Sequence, residues 1–242
     1  MIIVGTLLNL GCMSIPLAPV NLEKTIGLSF RNKDLLHQAL THRSAVRESR
    51  AHGHNERLEF LGDAVLELVS TAYLFQYEEK SEGELTNWRA ALVKGEHLSS
   101  VAKEIKLGEY VHMSKGEEAS GGREKTSTLA NSLEALIGAI FLDRGYEDAQ
   151  KFCEEYILVH LQKLLAQGKD RDFKSVFQEI AQEKTGFTPH YDVISETGPD
   201  HDKDFICAAF IEDKKIAEGE GNSKQRAEQE AAKAALKAKG WV

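Results

Sequence analysis

The sequence predicts an all-α domain followed by an α+β domain of order α-β-β-β-α. Three observations carry this. Between residues 21 and 166 the apolar residues recur at helical spacing, and no run alternates as a strand does. A short polar, glycine-bearing run, QGKDRD at 167–172, then interrupts the pattern. Beyond it the period changes to one amphipathic helix, apolar or alternating runs parted by turn residues, and an alanine-rich helix. The 242 residues suffice for one large domain or two smaller ones. The expected bounds are an extension over 1–20, a first domain over 21–166, a linker over 167–171 and a second domain over 172–242.

Residues 1–20 carry no charged side chain. They lack the basic start of a signal peptide, and their apolar run is too short to span a bilayer. Leu10-Gly11-Cys12 hints at a lipoprotein cleavage site, but that too wants a basic start, and Met13 could itself be the initiator. The segment is read as a poorly ordered or spurious extension. Leu22, Ile26, Leu28, Leu35, Leu36, Ala39 and Leu40 then follow helical spacing up to THRS at 41–44.

The next helix, from about 54 to about 77, organises the rest. Glu56, Glu59, Asp63 and Glu67 lie three, four and four residues apart, so at 100° per residue they form one acidic stripe. Leu58, Leu61, Val65, Leu68 and Ala72 form an apolar stripe expected to be buried, and further apolar residues suggest a helix covered on most sides. A solvated helix surface is one reading of the acids. The other is a metal site, because an oxygen-only cluster suits Mg²⁺ or Mn²⁺ and crowded carboxylates repel unless a proton or cation intervenes. His52 and His54, just ahead, read as ordinary loop residues at a helix start.

Ser81 and Glu84 have the spacing of a capping box ahead of a helix through Val93. Another helix covers about 96–105, and glycines mark a loop over about 108–125. A strongly apolar helix over 127–142 carries Asn131 and Glu134 three apart, hence on one face, and a further helix is expected over 146–166. In the second domain, Phe173, Val176, Phe177 and Ile180 define a helix. Strands are expected over 189–196 and 204–211, with a third ending near 218. A last helix over 223–239 packs through Ala227, Ala231, Ala234 and Ala235.

Composition excludes some classes. Three widely spaced cysteines, Cys12, Cys153 and Cys207, argue against zinc or a disulfide framework and fit a reducing compartment. The net charge is −8, and neither 1–170 nor 171–242 is basic overall. Contact with a polyanion would therefore need local patches, or cations offsetting an acidic cleft.

Two regions together resemble one family. HNERLEFLGDAVLEL at 54–68, EGELTNWRAALV at 82–93, KGEEASGGR at 115–123 and TLANSLEALIGAIFLD at 128–143 resemble ribonuclease III in the same order. Residues 171–242 resemble a double-stranded-RNA-binding domain through Gln178-Glu179, Gly198-Pro199-Asp200-His201 and GNSKQRAEQEAA at 221–232. The resemblance implies a helical endonuclease domain joined to an RNA-binding domain. It implies a Mg²⁺-dependent endoribonuclease, with Mn²⁺ able to substitute, that cuts double-stranded RNA. The products would carry 5′-phosphate and 3′-hydroxyl ends with short 3′ overhangs. The setting would be processing of rRNA precursors and other structured transcripts, by a cytoplasmic homodimer.

By the same resemblance Glu59, Asn131 and Glu134 are expected to hold metal, Asp63 and Glu134 to be catalytic, and Phe60 to enter the partner subunit. Glu56 would face RNA or the dimer, and Glu67 would be a bystander. Gln178 and His201 would meet successive minor grooves, and Lys224, Gln225 and Arg226 would face phosphates at a helix start. The pattern departs at two places. Asn131 stands where the family has Asp; its amide oxygen can coordinate a cation but brings no charge. Gln225 replaces a second Lys, which implies weak binding by this domain alone. Two other readings stay open: an RNA-binding regulator that does not cleave, and a structural ribosomal protein on the same helical fold.

Overall fold

The structure, a computed structural model, describes residues 18–45, 53–168, 172–199 and 203–241. The chain divides into two compact units between Gln167 and Gly168.

In the first unit the helices are α1 (Pro19–Thr25), α2 (Lys33–Ala39), α3 (Glu56–Leu74), α4 (Glu82–Val93), α5 (Gly95–Glu104), α6 (Lys115–Ala119), α7 (Thr126–Arg144), α8 (Tyr146–Tyr156) and α9 (Leu161–Ala166). Helix α1 takes in Pro19, whose fixed φ and missing N–H suit a first helical position. The Ser81–Glu84 capping box forms: Ser81 Oγ accepts from the Glu84 N–H, and the Glu84 carboxylate accepts from the Ser81 N–H at 3.0 Å. Helix α7 is the axis of the unit. Leu129, Leu133, Ala135, Leu136, Ile137, Ala139 and Ile140 are all buried, so it is apolar nearly all round.

Four expectations shift. The span 108–125 is not a plain loop: it holds α6 and short 3₁₀ turns at Leu107–Tyr110 and Gly122–Glu124. Arg123 ties it together by donating to the Gly108 and Val111 carbonyls at 2.8 and 2.7 Å. The helix expected over 146–166 breaks at Ile157, where a 3₁₀ turn, Leu158–His160, resets the phase. That turn lets Ile157, Leu158, Leu161 and Leu164 all reach the core. On α3 the buried stripe is Leu58, Gly62, Val65, Leu66, Val69 and Leu74, while Leu68 and Ala72 lie outside it and Leu68 is exposed. Nor is α3 covered on most sides, because Phe60 and Phe75 are 80% and 79% exposed.

The second unit runs α10 (Phe173–Thr185), β1 (His190–Thr197), β2 (Asp204–Ile211), β3 (Lys214–Gly221) and α11 (Lys224–Lys239). The sheet is antiparallel in the order β1-β2-β3, with a bulge in β1 between Val193 and Ser195. Cys207, Ala209 and Ile211 face Phe177 and the alanines of α11. Small residues are needed there: a Cβ on Gly219 would lie 2.0 Å from the Ala231 nitrogen. Among the described residues no helix is long and apolar enough to cross a membrane.

Candidate active site and nucleic-acid interface

The candidate site is made by the crossing of α3 and α7. Two glycines set its closeness. A Cβ on Gly62 would lie 1.8 Å from the Glu134 carbonyl oxygen, and one on Gly138 would lie 2.2 Å from the Leu58 carbonyl oxygen. The backbones therefore touch directly, and Glu59 and Asp63 of α3 come up against Asn131 and Glu134 of α7. Glycine inside a helix costs about 1 kcal/mol relative to alanine, so Gly62 and Gly138 each carried a readable signal of close packing. The motif reading passed over both.

Electrostatics follow from that geometry. Burial pushes the Glu134 carboxyl up to about 7, and the neighbouring Asp63 and Glu59 charges push it the same way. Glu59 is also raised, by burial first and by Glu56 next, while the Asn131 amide beside it favours the charged form. Glu56 pairs with Arg43 at 3.4 Å, and His54 Nδ1 lies at the same distance from its other carboxylate oxygen. Glu67 is exposed one turn further along α3.

An open cleft of about 310 Å³ adjoins these acids. Glu56, Glu59 and Asn131 line it, together with five further residues: His42, Arg43, Asn55, Ser127 and Thr128. None of the latter five was singled out from the sequence, although His42 and Arg43 sit in the THRS run. Among the described residues no three His, Cys, Asp or Glu side chains converge closely enough to enclose a metal ion as they stand. The donor chemistry nonetheless fits a hard divalent cation. Its donors are oxygens, and the Glu134 carboxyl is raised to about 7 by burial first and by two like charges next, charges that a cation would offset.

The other expected positions are placed as follows. Phe60 projects from α3 into solvent between Glu59 and the exposed part of the helix. Gln178 is exposed on α10. Lys224, Gln225 and Arg226 are exposed at the start of α11, where Ser223 Oγ accepts from the Arg226 N–H at 3.3 Å. Lys224 Nζ lies 5.7 Å from the centre of the Phe205 ring. His201 and His52 lie outside the described residues.

An all-helical unit with an acidic pair facing a third acid across a glycine contact, followed by an αβββα unit with a basic helix start, defines a two-domain nuclease of the RNA-binding kind. Residues 32–161 match the ribonuclease-III-like family model, and residues 173–239 match the double-stranded RNA binding motif. Ribonuclease 3 of Desulforamulus reducens is 45% identical over 218 residues, covering 89% of each chain. Ribonuclease 3 of Clostridium perfringens is 43% identical over 224 residues, 92% of this chain and 94% of that one. A solved nuclease domain of ribonuclease III from Campylobacter jejuni, described for flexibility in the region involved in dimer formation, is 44% identical. It covers 56% of this chain and 93% of its own, with a TM-score of 0.53. The chain belongs to the ribonuclease III family and is an enzyme of that family.

Proposed function

We propose that the protein is a divalent-metal-dependent endoribonuclease that cuts double-stranded RNA. The supporting observation is the raised Glu134 carboxyl, held by burial and by Asp63 and Glu59 in a chain of this family. Glu59, Asn131 and Glu134 would hold Mg²⁺, for which Mn²⁺ could substitute. A bound cation there would supply positive charge against the phosphate and make water easier to ionise. Asp63 would orient the attacking water, and a cation in the site would favour the ionised form of Glu134. Attack at phosphorus with departure of the 3′ oxygen leaves 5′-phosphate and 3′-hydroxyl ends.

Two copies pair through α3, Phe60 entering the partner, so that two sites face the two strands and leave short 3′ overhangs. Phe60, Ala64, Leu68 and Phe75 fall within about 80° of one another around the helix, and Phe60, Leu68 and Phe75 are all more than half exposed in the single chain. Gln178, His201, Lys224, Gln225 and Arg226 hold the duplex through minor-groove and phosphate contacts. The setting is processing of rRNA precursors and other structured transcripts in the cytoplasm, with which the free thiols Cys153 and Cys207 are consistent.

The test is to incubate the full chain with long double-stranded RNA in Mg²⁺ and in EDTA and to size the products. Short duplexes in Mg²⁺ alone are expected, and Glu134→Gln should bind but not cut. Asn131 favours one competing reading, a non-cleaving RNA binder. Intact RNA bound in Mg²⁺ and in Mn²⁺, with cutting only after Asn131→Asp, would establish that reading instead.

A further inference from the structure

Beside its acids the cleft is rich in unused hydrogen-bond donors. Helix α7 begins there. Its N-cap residue, Lys125, gives no side-chain cap, and its first turn carries no acidic residue. The N–H groups of Thr126, Ser127 and Thr128 find no acceptor among the described residues. A bare helix start is common enough, and alone it would say little. Two buried side chains beside it say more. Asn55 is only 2% exposed. Its backbone is fully used: the N–H donates to the Thr41 carbonyl, and its own carbonyl accepts from Leu58 and Glu59. Its carboxamide lines the cleft with no hydrogen-bond partner among the described residues. Thr128 is 6% exposed, lines the same cleft, and its hydroxyl is likewise unpartnered among the described residues. Both side chains reach the cleft with their hydrogen-bonding capacity unused by the described residues, so they are open to a ligand there.

The ligand they suit is anionic. Amide N–H groups at the positive end of a 19-residue helix, a carboxamide, two hydroxyls and a guanidinium all donate. Arg43 lines the cleft, and among the described residues its side chain is tied by an exposed 3.4 Å pair with Glu56, weak enough to give way to a ligand. Glu56 and Glu59 in the same cleft would repel an anion unless the anion is the substrate that those acids handle through a cation. A phosphodiester backbone satisfies both sets of groups, one phosphate at the acids and its neighbour at the helix start.

We propose that Asn55, Thr128, Ser127, Arg43 and the first-turn amides of α7 form a subsite for a phosphate flanking the one that is cut. The subsite rests on the nuclease reading for its purpose, but not for its existence. It positions the strand and takes no part in bond cleavage.

The test uses the full chain in EDTA, with inorganic phosphate as the probe and the amide resonances of Thr126, Ser127 and Thr128 as the readout. These resonances, and the Asn55 side-chain NH₂, should shift saturably. Thr128→Val keeps size and removes one hydroxyl. Asn55→Asp keeps shape and replaces the donor with a like charge. Each should weaken phosphate binding about tenfold or more, the worth of a hydrogen bond to a charged group. Under Mg²⁺, Thr128→Val should raise KM for double-stranded RNA by about tenfold and change kcat by less than about threefold, the pattern of lost uniform binding. No shift at the α7 start, or equal shifts in the variants, would overturn the subsite even if the wild type cuts RNA normally. Saturable shifts lost in both variants, with no cleavage by the wild type, would keep the subsite and sink the nuclease reading. Thr128→Val guards against a folding defect in Asn55→Asp, since its own spectrum reports whether it is folded.

Discussion

Glu134 is where burial and like charge act in the same direction, and its raised carboxyl has a consequence for stability. A carboxyl whose folded pKa is near 7 rather than 4.5 holds its proton more tightly folded than unfolded. Its contribution is therefore complete below about pH 4.5 and is lost as pH rises through about 7. Allowing for solvent screening of a partly exposed group, the loss is on the order of 1–2 kcal/mol. In EDTA, the stability difference between wild type and Glu134→Gln should move against the wild type between those pH values. Chemical denaturation at several pH values checks it, and a difference flat with pH would mean that Glu134 is ionised throughout. Asn131 acts on the same cluster. Asn131→Asp adds a fourth acid, so it should lower the Mg²⁺ concentration for half-maximal cleavage and slightly destabilise the metal-free protein. A Mg²⁺ titration of initial rate on one duplex decides; an unchanged or higher requirement would mean that Asn131 does not face the cation. The acids were legible because carboxylates at turn spacing are conspicuous. Asn55 and Thr128 were not, because only burial without a partner distinguishes them from any other polar residue.

At the scale of elements, the crossing of α3 and α7 decides whether the acids meet. Counting only apolar side chains set the buried stripe of α3 through Leu61, Leu68 and Ala72. The structure turns that face toward Gly62, Leu66 and Val69, because α3 meets α7 at backbone contact where no side chain exists to be counted. Periodicity gave the helices themselves, and the capping box marked one start to the residue. It could not reveal the turn at 158–160, which depends on whether Ile157 and Leu161 can both be buried. Gly62→Ala should drive α3 and α7 apart, since no flexible atom can yield to a Cβ 1.8 Å from a carbonyl oxygen. A loss of about 3 kcal/mol is expected from such overpacking, with cleavage falling further than stability at temperatures where the variant remains folded. Thermal denaturation beside cleavage rates measures both, and a variant with wild-type stability would show that the helices are not in contact.

At the scale of the whole molecule, no bulk charge explains RNA binding, since the chain carries −8 overall. The contacts must be few and local, which makes the division of labour between the two units measurable. Phe60 should hold two copies together: Phe60→Ala removes about 2 kcal/mol of apolar burial from each copy, so the dimer dissociation constant should rise roughly a hundredfold or more. Light scattering at micromolar concentration reports it, and a monomeric wild type would remove the pairing altogether. A chain ending at residue 168 loses Lys224 and Arg226 but keeps the acids, the glycine contact and Phe60. It should bind duplex RNA weakly yet still cut at low salt, where each remaining phosphate contact counts most. Because binding releases about one counterion per phosphate neutralised, the full chain should show the steeper fall of affinity with salt. Equal salt slopes and equal affinities for the two forms would mean that the αβββα unit does not grip the substrate, and that the nuclease unit finds its RNA through the cleft at the start of α7 alone.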